Sequence, residues 1–143
     1  MYDRSLVPVD DAETMTTVFE HAAEIAGPRE ATVYVLHVVD KRAFLTLDDE
    51  MKDDVETELT AQGERTVAAA ADWFAERDIA VETSSRSGSP AEEILAVASD
   101  LDVDLVVMGT QQGDYQQAML GSVSRTVTAN ADVPVLTVDV SDA

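Results

Sequence analysis

ATVYVLHVV, Ala31 to Val39, is a nearly unbroken apolar, largely β-branched run of nine residues. A strand with one wet face alternates polar and apolar side chains. A continuous run needs apolar cover on both faces, as in a parallel sheet wrapped by helices. On its amino-terminal side, SLVPV (Ser5 to Val9) forms a shorter strand-like run that ends at Asp10-Asp11. Between the two, apolar residues fall at Met15, Val18, Phe19, Ala22, Ala23 and Ile25-Ala26. That spacing predicts an amphipathic helix over Ala12 to Ala26, stopped by Gly27-Pro28.

On the carboxyl side the alternation continues. Asp40 to Asp54 is polar and mixed, reading as a loop or lid with a helix starting inside it, and the acids Asp48 to Asp54 read as a solvated face. Val55, Leu59, Val67, Ala70-Ala71 and Trp73-Phe74 mark a long helix reaching about Arg77, with Gly63 a weak point in it and Trp73 and Phe74 in its core face. Ile79 to Ser85 alternates like an edge strand. A helix start follows: Ser89 at the N-cap, Pro90 at the first position and Glu92 closing a capping box. Leu105 to Met108 is a fully apolar strand core, Ser122 to Asn130 a short helix, and Val133 to Val138 a last strand whose Pro134 suits an edge. Five strands alternating with four helices predict a single α/β domain over residues 1–143, a three-layer α/β/α fold on a parallel sheet.

Composition narrows the function. The 143 residues carry 29 Asp and Glu against 9 Lys and Arg, a formal charge of −20, and only Lys41 and Lys52 are lysines. Such a surface repels nucleic acid and anionic lipid, so neither is an expected partner. Acid spread along the whole chain with scarce lysine reads as adaptation to a cell full of salt. No stretch has the length of a membrane span, and a soluble, cytoplasmic protein is expected. With no cysteine there is no thiol catalysis and no thiolate metal site. His21 and His37 lack further ligands at metal spacing and read as structural. The chain contains no G-x-S-x-G elbow, no P-loop and no G-x-G-x-x-G fingerprint.

In open α/β sheets ligands bind beyond the carboxyl ends of the strands, where strand order reverses. Two strand ends carry suggestive residues: Pro8-Val9-Asp10-Asp11, and Gly109, which leads into GTQQGDYQQAMLGSVSR. With order 3-2-1-4-5 these ends are neighbours. Gly121, Ser122, Val123 and Ser124 open a helix there, which is what a phosphate requires: close backbone N–H groups and a hydroxyl. The same residues also suit an ordinary helix start. The loop has no Lys or Arg before Arg125 and adds Asp114, so a bound triphosphate would need Mg²⁺. A phosphoacceptor receiver domain shares the sheet and the Asp10-Asp11 pair. It would also need an acid closing the third strand, where Ser84-Ser85 stands, and a lysine after the fifth, and none follows Lys52.

LVPVDD, VYVLHVV, GSPAEEIL, DLVVMGT and GSVSRTVTANADVPVLTV, in this order from Leu6 to Val138, together resemble the universal stress protein family. The resemblance implies the adenine nucleotide α-hydrolase-like sheet order 3-2-1-4-5 and a homodimer joined through the last strand, Val133 to Val138. It also implies an ATP site in which Asp10 lies beside the nucleoside, with Pro8, Val9, Val38 and Val39 around it. Nucleotide-binding members carry G-x2-G-x9-G-[ST]. Here Gly109, Gly121 and Ser122 match the outer ends of that loop, with Thr110 and Val123 beside them as further expected site residues. The inner part departs: the chain reads G-x3-G-x7-G-S, with Gly113 shifted by one and Gln112 at the second-glycine position. Two functions follow. One is a stress-response protein that holds ATP or a related adenine nucleotide without an evident general base for turnover. The alternative is a dimeric interaction module of the same fold that has given up the nucleotide.

Overall fold

The computed structural model of the chain describes residues 1–44, 46–110 and 118–140. In chain order they form β1 (Arg4–Pro8), α1 (Met15–Ala26), β2 (Thr32–Asp40), α2 (Asp49–Ala75), β3 (Ala80–Gly88), α3 (Pro90–Asp100), β4 (Leu105–Thr110), α4 (Ala118–Asn130) and β5 (Val135–Asp139). All strand pairs are parallel, and the order is β3-β2-β1-β4-β5. The expected three-layer fold is therefore present, with β1 and β4 adjacent at the sheet centre.

The strand alternation explains the layers. Val7, Val33, Val35, Leu105 and Val107 face one side and pack with α1 and α2 through Val18, Phe19, Ala22, Val67 and Phe74. Leu6, Leu36, Val106 and Met108 face the other side and pack with α3 and α4 through Ile94, Val97 and Val127. All six residues of β4 are buried, whereas β3 is mostly exposed, as befits a central and an edge strand. β5 is the other edge, and Pro134, immediately before it, supplies the carbonyl that accepts from Val106 N.

Several boundaries differ from the sequence expectation. α1 begins at Met15, not Ala12, because Asp10 Oδ1 accepts from Ala12 N at 2.8 Å and holds the chain in a turn before the helix. α2 begins at Asp49, and the acids from Asp48 to Asp54 are exposed, as expected of a solvated face, while also forming the helix start. The Asp48 carboxylate accepts from Met51 N at 2.9 Å, an N-cap with Asp49 and Glu50 in the first turn. Ser89 does occupy the α3 N-cap with Pro90 first in the helix, but its hydroxyl makes no capping bond, so the expected capping box is not formed. β3 runs on to Gly88, past the expected end at Ser85, because it keeps register with β2 as far as Asp40. Trp73, expected in the core, is only half-buried, while its neighbour Phe74 is fully enclosed.

Candidate functional site

β1 and β4 pair in register at Ser5–Leu105 and Leu6–Val106, and from there their connections leave to opposite faces, α1 to one and α4 to the other. The sheet thus opens a crevice beyond Pro8 and Thr110, at the switch in strand order. Alternation decides what faces it. Leu6 and Met108 lie on the α3–α4 side, so Pro8 and Thr110, two residues further along, lie there too, as does Val38 of β2. Val9 and Val39 are buried; Val9 N donates to Leu36 O at 2.8 Å, which extends β1–β2 pairing to the lip of the crevice.

Asp10 stands at the mouth, half-exposed, with Oδ1 engaged by Ala12 N. The next acid, Asp11, accepts from Gln62 Nε2 of α2 at 2.7 Å, which fixes the turn after β1 against the long helix. At the rim on the β2 side, Asp40 is clasped by Arg42: Nε lies 3.0 Å from both carboxylate oxygens and Nη2 lies 2.6 Å from Oδ2. These bonds hold the Asp40 carboxyl below its ordinary value, against a smaller opposing effect of burial.

On the β4 side, Ser124 Oγ donates to Thr110 Oγ1 at 3.3 Å between two buried hydroxyl residues. This contact docks α4 onto the strand end; Thr110 is among the residues expected at the site, and its partner Ser124 has no signal in the sequence. Two glycine-loop expectations change. β4 does not end at Gly109 but runs through Thr110, because Gly109 and Thr110 pair with Val138 and Asp139 of β5. Gly109 also faces the other side: a Cβ there would stand 3.1 Å from Val18 Cγ2, so close approach of α1 accounts for its lack of a side chain.

The second change is that α4 begins at Ala118, not Ser122. Ala, Met and Leu at 118 to 120 are strong helix formers, and they carry the helix back through Gly121. The unpaired N–H groups of the helix start then end at residue 120. Ser122 is exposed, while its amide, like that of Gly121, falls in the hydrogen-bonded part of the helix. Val123 is half-buried and packs against the core on that face. Gly113 lies outside the described residues.

The chemistry available is that of a ligand holder. Pro8 and Val38 are apolar, α4 starts on the same side of the sheet, and the carboxyl ends of the central strands are the place where phosphate-bearing ligands sit on such folds. Neither imidazole is at hand: His21 is exposed on α1, and His37 faces α2 on the opposite side of the sheet. Among the described residues no three His, Asp or Glu side chains converge as a metal site, and no helix is long and apolar enough to cross a membrane.

An open parallel α/β sheet with its switch in strand order between β1 and β4 defines the class. Within it, residues 1–139 match the universal stress protein family, and the chain belongs to that family. It is 31% identical over 140 residues to universal stress protein MJ0531 of Methanocaldococcus jannaschii, covering 96% of this chain and 82% of that one. It is 34% identical over 130 residues to a universal stress protein of Methanothermobacter thermautotrophicus, covering 89% and 88%. Among solved structures it is similar to hypothetical protein MJ0577 (TM-score 0.83, 28% identity, 97% and 96% covered). It also shares the fold of the universal stress protein of Archaeoglobus fulgidus solved in complex with dAMP (TM-score 0.68, 23% identity, 95% and 97% covered).

Proposed function

We propose that this universal stress protein binds an adenine nucleotide, ATP among the candidates, in the crevice between the ends of β1 and β4. The observation that carries the reading is the Thr110–Ser124 contact, which docks the first half of α4 onto the end of β4, the strand beside β1. In this reading Pro8, Val9, Val38 and Val39 form the base side and Asp10 sits beside the nucleoside. The free N–H groups at the start of α4 and the Ser122 hydroxyl receive phosphate, with Gly121 leaving room beside them and Val123 packing behind. Gly109 and Thr110 shape the floor, and Gly113 completes the set of expected site residues. Relatives of this fold hold such ligands, as the dAMP complex illustrates. Mg²⁺ enters with the phosphates, because the described residues supply no cluster of donors to hold it alone. With no imidazole on this face, turnover is slow or absent.

The same proposal includes a cytoplasmic homodimer paired through the β5 edge, whose Val135 and Leu136 are half-covered in the single chain, and a surface adapted to high salt. A second reading, an interaction module without nucleotide, is favoured by two observations: Gly109 is explained by Val18, and Gly121 lies inside α4, not before it. Absorbance of the purified, desalted protein separates them. An adenine band near a one-to-one ratio supports nucleotide binding, and a clean protein spectrum that persists after incubation with ATP and desalting favours the module.

A further inference from the structure

On the α1–α2 side of the sheet, these two helices leave a groove of about 720 Å³ between them. Its inner wall is aromatic: Phe19 and Trp73 lie with ring centroids 5.5 Å apart. Its rim is acidic: Asp11, Glu13 and Glu58 line it, together with Asp10 where the groove meets the turn after β1. The single cation in the lining, Arg65, reaches Glu58 at 3.4 Å. We propose that this groove binds a small organic cation with an apolar body, an ammonium compound of aromatic or aliphatic character.

The volume falls in the range of small-molecule sites, roughly 300–1,000 Å³. Aromatic rings attract cations through their quadrupole, and the Trp73 ring already does so within the molecule, with the Arg77 guanidinium carbon 3.5 Å from its centroid. An anion would meet four carboxylates against one guanidinium. A neutral apolar ligand would leave the acidic rim unused. The walls are also held apart in a fixed way, since the 2.7 Å bond from Gln62 to Asp11 ties α2 to the turn after β1. General acidity of the surface does not account for the arrangement. A second depression on α2, about 450 Å³ and lined by Asp53, Glu56 and Glu64, is equally acidic but has no aromatic residue in its lining.

Trp73 is the only tryptophan, so its fluorescence reports the groove directly. Benzyltrimethylammonium, benzyl alcohol and benzoate would be titrated into the full chain at one fixed salt concentration. Saturable quenching by the ammonium probe, with weaker response to the alcohol and none to benzoate, is expected. Glu13→Gln or Glu58→Gln should weaken it about three-fold each, the scale of an exposed ion pair, and Arg65→Gln, which releases Glu58, should tighten it. Glu64→Gln changes net charge equally but lies in the other depression, so it should leave binding unchanged. Circular dichroism of each variant confirms folding. Equal quenching by all three probes, no saturable quenching by the ammonium in the folded protein, or an equal loss in Glu64→Gln would overturn the proposal.

Discussion

A Cβ built on Gly63 would stand 2.5 Å from His37 Nδ1 and 3.0 Å from Cε1, so the imidazole of β2 lies directly on the backbone of α2. In the sequence this glycine reads as a defect in a long helix. The structure makes it the seat of a side chain from a strand, a pairing across 26 residues of chain that no local pattern reveals. Gly63→Ala should therefore destabilise by about 1–3 kcal/mol through overpacking, despite the better helix propensity of alanine. In Gly63→Ala/His37→Ala the clash is gone, and most of that loss should be absent from the double-mutant cycle measured by urea unfolding.

His37 Nδ1 is buried with no hydrogen-bond partner. Burial holds the imidazole below its ordinary 6.5, with Asp10 and Asp11 pulling weakly the other way. The unfolded chain then takes up a proton more readily than the folded one. The stability that neutral His37 permits is complete above pH 6.5 and falls as pH drops from there towards the folded value. An NMR titration should show His37 protonating below 6.5, and His37→Gln should flatten the pH dependence of unfolding in that window.

At the scale of elements, the strands were legible because burial on both faces writes itself as apolar runs, and Ala31 to Val39 alone points to a parallel sheet. Helix starts were less legible. Asp48 sits in an exposed acid run, and the run itself gives no sign that its carboxylate is also the N-cap of α2. Asp48→Ala should cost about 1 kcal/mol, visible as earlier loss of far-ultraviolet helical signal on heating. Ser89 shows the converse: a well-written cap sequence whose hydroxyl makes no cap bond. The start of α4 was misplaced by four residues because Gly-Ser resembles a beginning, whereas Ala118 and the two residues after it extend the helix. For the site, the juxtaposition of the β1 and β4 ends followed from strand order. The facing of Gly109 towards α1 did not, since it depends on which side of β4 each residue takes once the strand runs on to Thr110.

Across the whole molecule the dominant force not visible in any one contact is charge. At −20, the chain has ion pairs such as Arg86 with Glu93 and Asp100, and Arg65 with Glu58, all at surface positions where each contributes little. Self-repulsion is long-ranged in dilute buffer and is confined to about 3 Å at 1 M salt. The melting temperature should climb steadily as KCl is raised from dilute buffer to molar concentrations. A flat response would mean that the acids are spaced widely enough to ignore one another.

Salt also sets the conditions for the most direct test of nucleotide binding at the β1–β4 switch point. ATP with Mg²⁺ would be titrated calorimetrically into the folded protein in about 2 M KCl, where its own charge is screened, beside a Gly121→Val variant whose fold is verified. Saturable one-to-one binding that is lost or greatly weakened in the variant is the expected result. Absence of binding heat across several temperatures in the folded parent, or equal binding in Gly121→Val, would contradict a nucleotide held at the start of α4.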